Sequence, residues 1–503
     1  MTVIALRPGT PDDDNREYLP EAIKGSDIVV NESGNNSQPY PTRLEEHTGT
    51  LVDGEEDTWY LYVPESYRPD QPVPLVVSLH GGAMTGWGQA VYSSWTMIAE
   101  REGFIVVFPN AHSRRFWLID IPAADIDGAT TPRDDGFYLG RPPQRADDNR
   151  DLRFISALID HVSSTHHVDA GRIYIHGMSM GDGMASQYTR YFGDRLAGSS
   201  GSAGPTAPEL LFDEDGALIN RAGALPNWQT RMEIDFVPPH YTVDAREAAR
   251  THREYWLALN GVDPTPSISI RGMDNFAFYE GGVSPVVFRD VKNRDHGQTL
   301  DDAELVWSYL FSGTRRLSDG RIDIAPSRRE RRGDAVSIAI AEGASTAWLN
   351  QEVVDLEGTC FLWRKWKYHG LEGGVLSRGD YLYAPVGFIG RALGAQTERG
   401  AGTARLTWPD GTVVEVARGS VVALVDGDVT AMLAEAVERD GELYLSFEWV
   451  ARDVRGLQAS TCGGVTYVTD HHAELSANMA LLIADLLAGR PSRSASVRKG
   501  TAR

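Results

Sequence analysis

One stretch of the sequence constrains the fold more than any other, the run RIYIHGMSMG at residues 172–181 and its continuation to residue 188. Its first residues predict a short buried strand, the Gly-x-Ser-x-Gly run a sharp turn, and the continuation a helix. Such a turn holds Ser179 at a strained tip, where a base and backbone N–H donors can reach its hydroxyl. Gly177 and Gly181 lack a Cβ, so neighbouring backbone can pass close to that tip.

The segments around this stretch alternate between strand and helix patterns. The predicted strands are 72–79, 104–108, 173–176, 196–204 and 285–291, and the predicted helices are 93–101, 151–163, 245–260 and 300–311. This alternation predicts an α/β fold with a doubly wound parallel sheet, preceded by an antiparallel pair at 49–53 and 58–63. The turn at Ser179 then lies at the carboxyl end of a strand, where open α/β sheets bind ligands.

The 503 residues are enough for more than one core, and the sequence changes character along its length. We predict a second, smaller domain of duplicated α+β type, because 380–395 resembles 442–456 and each copy follows a similar hairpin. An arginine-rich segment is interpreted as a solvated linker between the two domains. The predicted parts are an N-terminal extension (1–45), an α/β domain (46–312), the linker (313–335), the duplicated domain (336–488) and a basic tail (489–503).

Composition excludes several classes of partner. A formal net charge of −22 argues against nucleic acid and anionic membranes, and no apolar run is long enough to span a bilayer. Two cysteines, Cys360 and Cys462, exclude a disulfide framework but leave one bridge open. The apolar run before Arg7 is only four residues long, too short for a signal peptide, so we expect a cytoplasmic protein unless a leader has been removed.

A serine nucleophile needs a base, and three histidines follow Ser179 within the predicted α/β domain. His252 falls inside a helix pattern and is interpreted as a surface residue. His240 follows two prolines in a loop. His296 comes after the last strand and directly before the last helix, where this kind of fold carries its base, so it is the preferred candidate.

The base in turn needs a carboxylate that orients it. The end of the strand near residue 230 offers Glu233 and Asp235, and Asp235 is favoured because it follows apolar Ile234 and precedes a proline-rich loop. Asp244 and Asp274 are weaker alternatives. The order Ser179, Asp235, His296 is the order in which α/β-hydrolases carry the three groups.

Two backbone N–H groups are needed for a developing oxyanion. Met180 follows the serine and supplies one, and Gly82 is preferred over Ala83 for the other. His80 is interpreted as a buried residue that braces this loop. Trp117 either forms an apolar substrate wall or packs under its loop.

We expect no metal and no cofactor. The pairs His166–His167 and His471–His472 are adjacent residues, whose side chains point in different directions on a regular element.

Several of these motifs together resemble the esterase family that includes polyhydroxybutyrate depolymerases and feruloyl or acetylxylan esterases. They are PLVVSLHGG at 74–82, Phe116-Trp117, DLRFI at 151–155, VDAGRIYIHGMSMG at 168–181 and Asp295-His296-Gly297. The resemblance covers about residues 50–312 and implies hydrolysis of a small-molecule or oligomeric ester through an acyl-serine intermediate. Asp182 departs from it, because many members have a second glycine there, and so does the absence of a cysteine near residue 82.

The run YAPVGFIGRALG at 383–394 looks like the stalk domain named after the N-terminal region of copper amine oxidases. That similarity implies a non-catalytic accessory module without copper ligands, through which the chain could self-associate. A serine peptidase on the same fold, or a binding protein with a decayed hydrolase domain, remain alternative hypotheses.

Overall fold

A computed structural model of the chain describes residues 41–112, 115–134, 136, 138–238, 240–369 and 374–490, and for 366–369 and 374–378 it describes the backbone alone. Most of the predicted N-terminal extension (1–40) and of the basic tail (491–503) lies outside the described residues.

The first part of the chain, up to residue 313, builds one sheet covered by helices. Its strands are β1 (Leu44–Val52), β2 (Glu55–Tyr62), β3 (Val73–Leu79), β4 (Ile105–Pro109), β5 (Val168–Met178), β6 (Gly198–Ser202), β7 (Asn227–Ile234), β8 (Ser267–Arg271), β9 (Asp274–Tyr279) and β10 (Val286–Asp295). Its α-helices are α1 (Gly86–Val91), α2 (Trp95–Glu102), α3 (Ile126–Thr130), α4 (Arg150–Thr165), α5 (Met180–Phe192), α6 (Ala245–Asn260) and α7 (Asp302–Tyr309). Short 3₁₀ turns lie at Ala146–Asp148, Gly193–Arg195, Pro208–Leu210 and Phe311–Gly313.

The sheet has the strand order β1-β2-β4-β3-β5-β6-β7-β10-β9-β8. The six strands from β4 to β10 pair in parallel, and β3 and β4 are almost wholly buried because helices cover both faces. This is the α/β-hydrolase fold that the strand–helix alternation predicts. Both edges are antiparallel, however: β1 and β2 form the expected hairpin, whereas the β8–β9 hairpin was not anticipated.

The turn after β5 depends on two close backbone approaches. A Cβ at Gly177 would lie 2.0 Å from the carbonyl oxygen of Gly181, and a Cβ at Gly181 would lie 2.3 Å from that of Leu79. Neither contact is sterically possible, so both positions require glycine, as expected from the sequence.

Replacement of Gly181 by Ala is expected to destabilise the protein by about 3 kcal/mol or more, because the new methyl group meets rigid backbone. Gly183 is the matched control in the same helix, α5, since a Cβ there has Ile119 Cγ2 at 3.7 Å as its nearest neighbour. Gly183→Ala should be neutral or stabilise by up to about 1 kcal/mol through helix propensity. Urea unfolding of the two variants measures the difference, and equal midpoints would contradict the prediction.

In its described residues, the second part of the chain, from residue 314 onward, consists of three antiparallel sheets, a two-stranded hairpin and three helices. Its strands are β11 (Thr314–Arg316), β12 (Ile322–Ile324), β13 (Ser337–Ala341), β14 (Thr346–Leu349), β15 (Glu352–Asp355), β16 (Phe361–His369), β17 (Gly374–Pro385), β18 (Gln396–Gly400), β19 (Thr403–Thr407), β20 (Val413–Ala417), β21 (Val422–Val425), β22 (Asp428–Ala431), β23 (Val437–Arg439), β24 (Glu442–Ser446), β25 (Gln458–Cys462) and β26 (Val465–Thr469). Its helices are α8 (Val386–Leu393), α9 (Phe447–Trp449), which continues as a π-turn at Val450–Val454, and α10 (Ala477–Leu487).

The two copies of the predicted repeat adopt the same local structure. The hairpins β14–β15 and β21–β22 each have a two-residue turn with positive φ at both positions, Asn350-Gln351 and Asp426-Gly427. Such turns match the right-handed twist of the strands they join. Strands β17 and β24 pair with each other, and each leads directly into a helix, α8 or α9.

The two parts are packed together through a shared core. One cluster of buried hydrophobic side chains runs from Leu257 on α6 and Ile268 on β8 to Trp348, Tyr467 and Met479 in the second part. The division into separate domains therefore stays a prediction, because burial of this kind does not separate two units.

The arginine-rich segment is attached to the α/β part, which differs from its interpretation as a solvated linker. The guanidinium of Arg316 donates to the carbonyls of Leu196 (2.6 Å) and Gly193 (3.0 Å), and Arg315 pairs with Asp169 at 3.0 Å. Composition alone does not show these partners, because they come from distant elements.

The two cysteines and the helices were the subject of the remaining predictions. Cys360 and Cys462 are both free thiols, so the bridge that the sequence left open is not formed. In the part of the chain that the structure describes, no helix combines the length and apolar character needed to cross a bilayer.

Candidate functional site

Ser179 is the N-cap residue of α5, directly after β5. Its backbone has φ 55° and ψ −120°, a conformation that non-glycine residues rarely adopt. The strain is sustained by surrounding bonds, since Ser179 N–H donates to the carbonyl of Ser202 at 2.7 Å and its carbonyl accepts from Asp182 N–H at 2.9 Å.

The structure brings the three predicted side chains together. His296 Nε2 lies 2.7 Å from Ser179 Oγ, and His296 Nδ1 lies 2.7 Å from Asp235 Oδ1. An ionised carboxylate only accepts, so Nδ1 carries the proton and Nε2 is left to accept from the serine hydroxyl. The ring of Phe236 packs against the imidazole with centroids 4.1 Å apart.

The alternative carboxylates all have other partners. Glu233 accepts from Lys292, Asn293 and Ala477. Asp244 caps α6 by accepting from Glu247 N–H at 2.9 Å, and Asp274 pairs with Arg289 at 2.6 Å. Asp235 is therefore the carboxylate that contacts the imidazole.

The other histidines differ in their surroundings. His252 is buried, which corrects its interpretation as a surface residue: its Nδ1 lies 3.0 Å from the guanidinium of Arg231, and its Nε2 lies 3.2 Å from the indole nitrogen of Trp256. Burial, helped by Arg231, holds the pKa of His252 well below its usual range. His240 lines the cavity beside Ser179, and burial lowers its pKa.

His80 braces the loop after β3, as predicted. Its Nδ1 donates to the carbonyl of Gly81 at 2.7 Å, while its Nε2 accepts from Ala111 N–H at 2.9 Å. Burial lowers the pKa of His80 to about 4, so the ring stays neutral near pH 7 and keeps both bonds.

Asp182, the residue that departs from the family pattern, is buried and compensated. Its Oδ2 accepts from Arg231 at 2.8 Å and from Gly204 N–H at 3.0 Å. Burial raises the pKa of Asp182 to about 6, and the Arg231 guanidinium opposes that rise. A Cβ at Gly201 would lie 1.8 Å from Asp182 Oδ1, so a glycine on β6 makes room for this carboxylate.

Arg231→Met is expected to cost about 3–5 kcal/mol of unfolding free energy, because it leaves a buried carboxylate without its counter-ion. Without Arg231 the pKa of Asp182 rises further above its unfolded value. The loss should therefore be largest near pH 8 and shrink as the pH falls and the folded state binds the proton.

The control is Arg153→Met, which removes an exposed pair with Asp53 at 2.6 Å. Solvent screens that pair, so the control should change stability far less. Urea unfolding at pH 8 and pH 5 measures both variants, and a pH-independent loss for Arg231→Met would contradict the assignment.

A cavity of about 580 Å³ opens beside the serine. Its apolar wall comes from the loop after β3, the end of α1, the 110–149 loop and the turn from β5 into α5. The residues of that wall are Met84, Tyr92, Phe116, Ile119, Leu139, Met178 and Met180. The opposite side carries Pro205, Phe236, Pro238, His240 and Tyr241. None of the described residues that line the cavity is a lysine or an arginine.

Trp117 is not on this wall. It is 1% exposed, it lies under the loop, and its indole N–H donates to the carbonyl of His80 at 2.8 Å. Its neighbour Phe116 lines the cavity instead, which the sequence did not distinguish. A tryptophan beside a buried carbonyl can satisfy its N–H there, whereas phenylalanine has no such group.

Both predicted oxyanion donors border the cavity, Gly82 from the loop after β3 and Met180 at the start of α5. The N–H of the rival Ala83 donates to the carbonyl of Arg115 at 2.9 Å. Because its N–H is used in that bond, Ala83 is not available as the second oxyanion donor.

No protein-family model matches the chain. It is 24% identical over 259 residues to a bifunctional acetylxylan esterase/xylanase, XynS20E, of Neocallimastix patriciarum, a match that covers 51% of this chain and 33% of that protein. It is 26% identical over 262 residues to feruloyl esterase B of Piromyces equi, covering 49% and 43%. The matches thus span less than half the length of either relative.

Among solved structures, an acetyl xylan esterase from Aspergillus awamori is 15% identical with a TM-score of 0.38, covering 53% of this chain and 99% of that one. The poly(3-hydroxybutyrate) depolymerase LpqC of Bordetella parapertussis is 15% identical with a TM-score of 0.36, covering 55% and 92%. Over about half its length, this chain is therefore similar in sequence to two proteins named as esterases.

Proposed function

We propose that this protein is a carboxylic ester hydrolase that uses Ser179 as nucleophile, His296 as general base and Asp235 as the group that orients the base. The observation that carries the proposal is the imidazole of His296, which bridges Ser179 Oγ and Asp235 Oδ1 with 2.7 Å at each end. That arrangement satisfies the geometric requirement for a serine hydrolase.

In the first half of the reaction, Ser179 Oγ attacks the ester carbonyl carbon while His296 Nε2 takes the hydroxyl proton. The tetrahedral oxyanion accepts from the N–H groups of Gly82 and Met180. His296 then gives the proton to the leaving alkoxide as the C–O bond breaks, which leaves the acyl-serine. Asp235 stabilises the imidazolium in between.

In the second half, water replaces the alcohol. His296 Nε2 takes a proton from water, whose oxygen attacks the acyl carbon, and the same two N–H groups receive the charge. His296 finally returns the proton to Ser179 Oγ, so the carboxylic acid leaves and the enzyme is restored.

The cavity favours an acyl group larger than acetyl. Its volume of about 580 Å³ lies in the range of small-molecule sites, and its apolar wall offers an acetyl group little to contact. Of the two esterase activities named for the curated relatives, feruloyl ester hydrolysis fits this wall better than acetyl ester hydrolysis.

The proposal is tested with the full chain on p-nitrophenyl acetate, butyrate and octanoate, methyl ferulate, and a peptide panel. We expect ester turnover, a higher kcat/KM for the larger acyl groups, and a fluorophosphonate probe attached to Ser179 by peptide mapping. Preferential cleavage of peptides would support a peptidase instead. Absence of both turnover and labelling would support a binding protein.

For residues 336–488 we propose a non-catalytic accessory role, as the resemblance to the stalk domain implies. Self-association through this part is also a proposal, and size-exclusion chromatography of the full chain with light scattering tests it. A monomer at all concentrations would exclude that role.

A further inference from the structure

The carboxylate of Glu233 lies two residues before Asp235 at the end of β7, and it accepts three hydrogen bonds. Its Oε2 accepts from Asn293 N–H at 2.9 Å. Its Oε1 accepts from Lys292 Nζ at 3.1 Å and from Ala477 N–H at 2.8 Å. Despite partial burial, which acts in the other direction, these donors hold the pKa of Glu233 below its usual range.

Two of the three donors belong to the irregular end of β10 that carries His296. The register between β7 and β10 shifts between Val291 and Asp295, and Asn293 has φ 55° there. Such an irregularity removes ladder hydrogen bonds, and Glu233 supplies an acceptor in their place. The Glu233 carboxylate therefore links the end of β10, which leads to His296, to β7, which leads to Asp235.

The third donor comes from residues 336–488, which we call the accessory part. Ala477 is the first residue of α10, whose beginning also contacts β10 and β9: Asn478 Nδ2 donates to Asp290 Oδ1 at 2.9 Å, and Ser476 N–H donates to Asn275 Oδ1 at 3.0 Å. The side chains of Asn478, Asp290, Ser476 and Asn275 are all buried. The start of α10 therefore packs against the strands that lead directly to Asp235 and His296.

We infer that Glu233 is a positioning residue for the Asp235–His296 pair, and that the accessory part holds it through the N–H of Ala477. This inference builds on the proposed function. It gives residues 336–488 a part in the reaction without any contact with substrate. The physical reason is that a displacement of about 1 Å at a catalytic base can cost about 100-fold in rate.

The contact with Ala477 can be broken by proline, whose ring Cδ takes the place of the N–H hydrogen and also displaces the Glu233 carboxylate. Proline is well tolerated at the first position of a helix and lacks the N–H. The preceding residue, Ser476, has φ −83° and ψ 160°, the extended conformation that proline requires before it. Ala477→Ser retains the donor, so a loss confined to Ala477→Pro is due to the broken contact with Glu233.

The experiment compares kcat, KM and the pH profile of the full-length variants Glu233→Gln, Glu233→Ala, Ala477→Pro and Ala477→Ser on a p-nitrophenyl ester. We expect kcat to fall about tenfold for Glu233→Gln and Ala477→Pro and up to about 100-fold for Glu233→Ala, with KM little changed. Gln is the milder change because it keeps one acceptor oxygen.

The pH profile separates positioning from a general loss of folded protein. A weaker bond between His296 and Asp235 stabilises the imidazolium less, so the acidic limb of kcat/KM should move to lower pH in the Glu233 variants. A smaller folded fraction lowers the rate at every pH without moving that limb. The control is Tyr467→Phe, which removes a buried bond at 2.8 Å to Asp334, a residue that also accepts from Ile270 N–H on β8 of the first part; this variant should keep wild-type kcat.

The outcomes distinguish this inference from the function on which it builds. Turnover retained by Ser179→Ala would refute the proposed function itself. Inactive Ser179→Ala together with wild-type kcat and pH profiles for Glu233→Gln and Ala477→Pro would refute only the positioning role. If Glu233→Gln failed to fold, Ala477→Pro against Ala477→Ser would still decide.

Discussion

Ser179→Ala is expected to lower kcat for p-nitrophenyl esters by about 10⁶-fold, because the hydroxyl that forms the acyl intermediate is gone. The fold should remain, since the backbone bond from Ser179 N–H to Ser202 does not involve the side chain. The rate of p-nitrophenol release by the purified full-length protein gives kcat, and circular dichroism checks the fold. The same variant should lose fluorophosphonate labelling.

His296→Ala provides the second half of this test. Because serine and histidine act as one unit, its loss should be about as large as that of Ser179→Ala, and the double variant should be hardly worse than either single one. Independent, multiplicative losses would mean that the two side chains do not act in one proton transfer. His240→Ala, on the cavity wall, should retain far more activity than His296→Ala.

Asp235→Asn is expected to lower kcat by about 10⁴-fold while KM changes little. An amide can donate to Nδ1 where the carboxylate accepts from it, and that reversal places the imidazole proton on Nε2. The ring then cannot take the proton of Ser179 Oγ, which lies 2.7 Å from Nε2. The measurement is steady-state kinetics near pH 8, where a neutral imidazole is required.

Asp244→Asn is the matched control for this carboxylate. Asp244 lies in the same connection before α6, and asparagine also serves as an N-cap, so the helix should be retained. We expect activity close to wild type. A larger loss for Asp244→Asn than for Asp235→Asn would overturn the assignment of the acid.

Several elements could be predicted closely because their signals are local. The helix predicted at 245–260 is observed at Ala245–Asn260, since an apolar stripe between the N-cap Asp244 and the left-handed Gly261 is contained in the chain itself. The order of Ser179, Asp235 and His296 along alternating strands and helices was sufficient to choose three residues that the structure brings into contact.

Other predictions were wrong or were left open, because the residues that decide them are distant in sequence. His252 was assigned to the surface because it falls in a helix pattern beside Arg253, and nothing nearby indicated that Arg231 would lie 3.0 Å from it. The β8–β9 hairpin was missed, although the alternation of Ser267 to Arg271 is a strand signal. The sequence could not show which of Trp117 and Phe116 lines the cavity, because that depends on which ring lies beside a buried hydrogen-bond acceptor.

The sequence by itself determined the periodicities, the turn glycines and the order of the chemical groups, because each depends on residues a few positions apart. Only the tertiary structure decided that Asp182 is paired with Arg231, that Phe116 forms the wall, and that Glu233 receives a donor from α10. Those outcomes depend on which buried polar groups meet across elements that are up to 244 positions apart. Each such group must find a partner when it leaves water, and only the packed chain determines which one.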